Sequence, residues 1–136
     1  MEENRFWKNI KHFDYQEFSA PEDPESGFGM DHYLVMSLDE LRGLIGYPII
    51  IHENGAYSVR GHADNSYHYE GKAVDFHVDP ECKLSARQQG HVIFSTGKFR
   101  GIGFYAEWKP VPGWHLDVRQ GFQIWKKIGG EYVYFF

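Results

Sequence analysis

The sequence predicts an α+β fold, a mostly antiparallel sheet with helices packed on one side. Three observations carry this. Two segments show helical apolar spacing with caps. They are segregated from the strand-like segments rather than alternating strictly with them. The C-terminal part of the chain breaks into short strands and closes in a hairpin. The chain has 136 residues, which suits one domain spanning 1–136 and is long enough to bury a real core.

The elements follow in order. SAPEDPESGFGMD, from Ser19 to Asp31, is acidic and rich in breakers, and reads as a surface loop. In MDHYLVMSLDELRGLIG the apolar residues Leu34, Leu38, Leu41 and Ile45 recur near helical spacing, and Gly46 and Pro48 supply the stop. PIIIHE is β-branched and short, a buried strand, and NGAYSVRGHADNS is a loop of turn formers. KAVDFHV alternates, with Ala73, Asp75 and His77 on one face and Val74, Phe76 and Val78 on the other. SARQQGHVIFSTG reads as a second helix, capped by Ser85 and closed by Gly97. RGIGFYA is a strand, EWKPVPG a Pro-rich connection, and WHLDVR a strand with His115 and Asp117 on one face. FQIWKKIGGEYVYFF is a hairpin around Gly129 and Gly130.

Composition narrows the function. The formal charge is −5 and no Lys/Arg cluster is present, which argues against a nucleic-acid surface. Aromatic residues make up 18% of the chain, which suits large packing units and an aromatic-lined cleft. The single cysteine, Cys82, excludes an internal disulfide and a cysteine-rich zinc site, and it sits in a polar connection, DPECKLS. No apolar run approaches the ~20 residues of a membrane span. The N-terminal stretch MEENRFWKNIKHFDYQEF is polar and lacks the apolar core of a secretory signal.

The chemistry concentrates in NSYHYEGKAVDFHVD. Enzymatic zinc sites take three His, Asp or Glu ligands and keep one position for water. His68 ends a loop and Asp75 sits on the following strand, with Gly71 letting the backbone turn between them. An H-x6-D pair is common by chance. Asp75, however, stands among Ala73, Val74 and Phe76, where an unpaired carboxylate is costly and calls for a cation or strong donors. His115, between Trp114 and Leu116 on a later apolar strand, has the same character.

NSYHYEGKAVDF resembles the S-x-H-x-x-G-x-A-x-D signature of the zinc D-alanyl-D-alanine carboxypeptidase family, cell-wall peptidases whose fold is shared with the hedgehog signalling domain. GIGFYAEWKPVPGWHLDVR resembles that family's second half, a G-x-G-x-Y strand followed by a strand with H-x-D, and FDYQEFS and the following helix, strand and loop resemble its first half. The resemblance implies zinc held by His68, Asp75 and His115. It implies Arg60 as the arginine that holds the substrate, although the family's compact Gly-Tyr-Arg is GAYSVRG here. A guanidinium suits that role through its bidentate fork. Ser66, two residues before the first ligand, binds substrate or fixes the turn.

The pattern departs at the catalytic base. The family commonly has a Glu, Asp or His two or three residues before the last histidine, and here Pro112 and Gly113 stand there. The nearest upstream acid is Glu107, which becomes the base if the Pro-rich stretch folds it toward the metal water, and is otherwise a surface carboxylate. His77 is either a fourth ligand that closes the site or a residue one step beyond it. Asp117 reads as an acceptor that orients His115, and His62 and Asp64 as loop residues that line the cleft or make a turn. Two functions follow as expectations. One is a zinc-dependent peptidase acting on peptidoglycan peptide. The other is a metal-stabilised, non-catalytic module that binds such peptides.

Overall fold

The computed structural model describes residues 2–135, with the side chains of residues 2–4 and all of Phe136 outside the described residues. The described residues form three α-helices: α1 (Glu2–Lys8), α2 (His32–Ile45) and α3 (Ala86–Thr96). Six strands follow in chain order: β1 (Ile49–Ile51), β2 (Ala73–Val78), β3 (Gly101–Tyr105), β4 (Gly113–Asp117), β5 (Gln123–Ile128) and β6 (Glu131–Tyr134). They form one sheet in the order β1-β2-β4-β3-β5-β6.

The helices begin and end where side chains satisfy their free backbone groups. Asp31 accepts from the Leu34 N–H at the start of α2, and Ser85 and Gln88 form a reciprocal capping box at the start of α3. α2 ends at Gly46 and α3 at Gly97. Leu34, Leu38, Leu41 and Ile45, the apolar stripe of α2, are all buried. They pack with Ile93 of α3 against Val74, Phe76, Val78, Ile102, Trp114 and Leu116 in one cluster. The helices therefore cover one face of the sheet, and the other face carries Asp75 and His115. α1 was not evident from its polar sequence. Phe6 and Trp7 pack it onto the core, with Phe6 stacked on His32 at 3.8 Å.

The α+β expectation holds, and the sheet is mixed rather than purely antiparallel. β3 pairs with β5 in parallel, Gly103 opposite Trp125, while β1–β2, β2–β4, β3–β4 and β5–β6 are antiparallel. The parallel pairing follows from connectivity. β4 occupies the side of β3 that faces β2, so the chain crosses to the other side of β3 and enters β5 in the direction of β3. No helix among the described residues is long and apolar enough to cross a membrane.

Truncating the core tests this packing. Leu38→Ala, at a fully buried position of α2, is expected to cost about 2–5 kcal/mol. It should lower the urea midpoint without changing the denaturant slope. Leu44→Ala, on the exposed side of the same helix, should stay within about 0.5 kcal/mol of the parent.

Candidate metal centre

The cleft on the open face of the sheet is lined by His62, Ser66, His68, Asp75, Tyr105, His115, Arg119 and Trp125, with Ala63, Asn65, Tyr67 and Tyr132 at its margins. His68 reaches it from a single 3-10 turn, Tyr67–Glu70. The Ser66 hydroxyl accepts from the His68 N–H at 3.2 Å and starts the turn. Gly71 ends it at φ 68°, and a Cβ there would stand 2.7 Å from the Gly29 carbonyl oxygen, so both conformation and space require glycine. His68 Nδ1 lies 3.0 Å from the Ala56 carbonyl oxygen. A carbonyl only accepts, so Nδ1 carries a proton; Nε2 faces Asp75, donating to it when the ring is protonated and free to hold a metal when it is not.

Asp75 and His115 meet because β2 and β4 pair with these two residues directly opposite. The ladder puts their side chains on the same face at short range. His115 Nδ1 is 2.9 Å from Asp75 Oδ1, and His68 Nε2 is 3.2 Å from Asp75 Oδ2. On its other side His115 Nε2 lies 2.7 Å from Asp117 Oδ2. Asp117 is fully buried and receives the fork of Arg119, with Nη2 at 2.7 Å and Nε at 2.9 Å. The Arg119 guanidinium stands over the rings of Tyr67 and Trp125, each 5.1 Å away.

The G-x-G of β3 makes room for this. A Cβ on Gly101 would collide with the Asp117 carboxylate, and one on Gly103 with the Trp125 indole. Both glycines are close-approach positions on the cleft face, while Ile102 between them points into the core.

Charge follows the contacts. Burial works against ionisation of Asp75, but hydrogen bonds from His115 and His68 outweigh it and hold the carboxyl below its usual range. Burial likewise disfavours charge on His115, yet its bonds to Asp117 and Asp75 prevail and raise its pKa to about 9. Asp117 is drawn down to about 2, burial being overcome by His115 and Arg119. In the protein alone, His115 is thus an imidazolium held between two carboxylates.

Imidazole and carboxylate donors of this kind suit a divalent metal ion. With metal–ligand bonds of ~2.0–2.2 Å, neighbouring ligand atoms of a tetrahedron stand about 3.3 Å apart. The 3.2 Å from His68 Nε2 to Asp75 Oδ2 is close to that, whereas the 2.9 Å contact of His115 ends on the other oxygen, Oδ1. The second contacts are also of the kind that orient metal histidines, a carbonyl on His68 and a carboxylate on His115. Loss of the His115 Nδ1 proton would free a lone pair beside Asp75 while Nε2 keeps its bond to Asp117.

His62 adds a further donor. One ligand atom from each of His62, His68 and Asp75 lies within 4.8 Å of the others, a grouping able to hold a metal ion. The His62 ring stacks on His68 at 3.9 Å and 14°. Its Nε2 lies 2.8 Å from the Asn54 carbonyl oxygen, so Nε2 carries the proton and Nδ1 keeps the lone pair. The Tyr69 hydroxyl accepts from the His62 N–H at 2.9 Å and donates to its carbonyl at 2.8 Å, which clamps the loop. Burial holds the His62 pKa below the ordinary value, the Asn54 contact opposes this, and His68 adds to the lowering.

The residues expected from sequence divide clearly. His68 and His115 both contact the Asp75 carboxylate, but the grouping able to hold a metal ion joins His68 and Asp75 with His62, not with His115, and Ser66 stands in the cleft as the cap of the His68 turn. Asp117 touches His115 as an orienting acceptor would. His77 turns to His52 instead, Nδ1 to Nε2 at 2.9 Å, and does not line the cleft. Arg60 and Glu107 are not brought to the cleft either. Arg60 is largely exposed and pairs with Glu22 at 2.9 Å. The Glu107 carboxylate accepts from the Gly129 N–H at 2.6 Å, across the β5–β6 turn. Asp64 is absent from the lining. Sequence reasoning gave no role to Arg119 or Trp125. The available signal was Arg119 two residues beyond Asp117, the strand period that places both on one side.

A stability profile against pH checks the electrostatics. The His115 pKa is raised from 6.5 to about 9. Its contribution to the metal-free fold is therefore full below about 6.5 and is lost as pH rises through about 9. Asp117, lowered from 3.8 to about 2, contributes above about 3.8 and loses that as pH falls through about 2. Urea midpoints of chelator-treated protein should be highest between these limits and fall by pH 9.5. His115→Gln should flatten the alkaline limb. An equally steep limb in that variant would refute the assignment.

Compared with protein-family models, curated proteins and solved structures, the chain matches none.

Proposed function

We propose that the chain is a zinc-dependent peptidase of the D-alanyl-D-alanine carboxypeptidase kind, with the related hedgehog-type fold, acting on the peptide of cell-wall peptidoglycan. The observation that carries the reading is the convergence of His68 Nε2 and His115 Nδ1 on the Asp75 carboxylate, at 3.2 and 2.9 Å, in an open cleft. Two imidazoles and a carboxylate are the donor set of hydrolytic zinc sites that leave a position for water.

Bound zinc would supply Lewis acidity and lower the pKa of a water. The protein's own part is orientation and proton handling. The Ala56 carbonyl holds the His68 tautomer, and Asp117, steadied by Arg119, holds that of His115. Ser66 keeps the His68 turn, with its hydroxyl at the cleft. Two groups are candidates to take a proton. Glu107 has to release Gly129 first. His62 already stands in the cleft with an unprotonated Nδ1, and the geometry favours it. For a substrate carboxylate reaching beyond the cleft, Arg60 offers a guanidinium whose only ion pair among the described residues is with the exposed Glu22, a weak pair that a ligand can exchange. Arg119 is nearer, but its fork is committed to Asp117.

A second reading has an observation of its own. Asp75, which lines the cleft, and Asp117, behind His115, are both engaged by His115, and Glu107 secures the hairpin. With His62 as a fourth ligand the site would close, as structural zinc sites do. The chain would then be a metal-stabilised module that binds peptidoglycan peptide without cleaving it.

Elemental emission and a muropeptide digest with mass detection test both readings. The peptidase reading expects stoichiometric zinc in the parent protein, lost in His68→Ala and His115→Ala, together with cleavage that disappears in the same variants. His62→Asn should slow cleavage by about 10²–10⁴-fold if His62 takes the proton, and Glu107→Gln by only a few-fold. The reverse ranking would make Glu107 the base. Bound zinc with no cleavage, and loss of zinc in His62→Asn, would establish the closed module. No divalent metal in the parent protein, with His68→Ala unchanged in stability, would overturn both.

A further inference from the structure

On the face opposite the cleft, a groove of about 740 Å³ runs between α3 and the strands β3 and β5. Its walls include Phe94, Ile102, Phe104 and Ile124, and two cations, Arg87 and Lys126, also line it. The volume and apolar character are those of small-molecule sites. The helical layer stops short of the sheet here. Phe94 is 46% exposed and Phe135, also in the lining, 54%.

The groove is polarised along its length. The chain reverses between α3 and β3 through residues 97–100, so the C-terminal end of α3 lies near the start of β3 and its N-terminal end near the end of β3. Ile102 pairs with Ile124 at the start, and Phe104 with Lys126 toward the end. Phe94, in the last turn of α3, therefore belongs to an end with Ile102 and Ile124. Arg87, in the first turn, belongs to the end with Phe104 and Lys126. The N-terminal end of an 11-residue helix adds partial positive charge to that same end. Arg87 and Phe94 are separated by about 10 Å along the helix axis.

Neither cation is neutralised. Among the described residues, Arg87 and Lys126 form no salt bridge, and the Lys126 ammonium lies over the Phe135 ring at 5.8 Å. In a chain of net charge −5, an apolar trough with two unpaired cations at one end is a local reversal of sign. Charge complementarity selects an anionic head, and the length and walls select an unbranched apolar tail.

We propose that this groove binds a medium-chain aliphatic carboxylate, its head between Arg87 and Lys126 and its tail against Phe94, Ile102 and Ile124. The site lies on the other face of the sheet from the candidate metal centre and does not depend on zinc or on peptidase activity.

Titration calorimetry, together with the fluorescence of Trp114 and Trp125, which also line the groove, tests it with monomeric decanoate, decanol and butyrate on the full chain. Decanoate should bind saturably at one site. Decanol should bind at least tenfold more weakly, and butyrate should give no saturable signal. The Arg87→Ala/Lys126→Ala double variant should lose at least tenfold for decanoate and little for decanol, with unchanged thermal unfolding and zinc content. Equal affinity for decanoate and decanol, or unchanged decanoate binding in the double variant, would overturn the proposal. So would a parent protein that ignores decanoate while sedimenting with phosphatidylglycerol vesicles. A stable dimer in light scattering that ignores decanoate would assign the groove to a second copy instead, and would equally overturn it.

Discussion

The cleft depends on one largely buried carboxylate. Asp75 stands in the middle of β2, between Val74 and Phe76, which are fully buried. An ion there without partners would cost several kcal/mol. Two imidazoles remove that cost, and much of the surrounding structure serves to deliver them. The β2–β4 register brings His115 across the ladder. The 3-10 turn, started by Ser66 and ended at Gly71, brings His68 down onto the strand. The empty side-chain positions of Gly101 and Gly103 leave space for Asp117 and Trp125, which support His115 and Arg119. Removing any one of these leaves a buried charge without its counterpart, so the arrangement is cooperative rather than a sum of contacts.

That arrangement is suited to two occupants, a proton or a metal ion. With His115 protonated, Asp75 and Asp117 are matched by His115 and Arg119, and the cluster is neutral. A divalent cation would take the place of the His115 Nδ1 proton and add charge, which His68, His62 and Asp75 are arranged to receive. The raised pKa of His115 makes a proton a real competitor, because a metal has to displace it. Arg119 moderates this competition. By sharing Asp117 with His115 it reduces the hold of that carboxylate on the imidazolium, while leaving its orienting contact in place.

Much of this was legible before the fold. The apolar stripe of α2, the Ser85 cap and Gly97 stop of α3 and the alternation of β2 gave those elements nearly to the residue, because each rests on neighbours in sequence. His68 was legible from its place in the S-x-H-x-x-G-x-A-x-D pattern, and Asp75 and His115 for a further reason. A polar residue flanked by core residues on a strand has to be explained by something across the sheet. Arg60 and Glu107 were less accessible, since their positions depend on loops. Glu22 and the Gly129 N–H, distant in sequence, decide where their charges rest. His62 was ambiguous for the same reason, its place set by the Tyr69 hydroxyl and the Asn54 carbonyl. The parallel β3–β5 pairing was also hidden. Strand periodicity is the same in either direction, and only the occupancy of the β3 edge by β4 determines the outcome.

The sheet as a whole works as a two-sided partition, and β3 shows how. Its cleft-facing positions carry glycine, glycine and tyrosine, and its other positions carry Ile102 and Phe104. A one-residue slip would put Ile102 against Asp117 and expose the glycines to the helices, losing both the polar cluster and the core at once. The short distance from the buried Asp117 carboxylate to the backbone of β3 is therefore a register lock as well as support for His115. The same alternation that admits a carboxylate on one side builds an apolar wall on the other. The functions proposed for the two faces would both rest on the pairing of Gly101 with Asp117 and of Gly103 with His115.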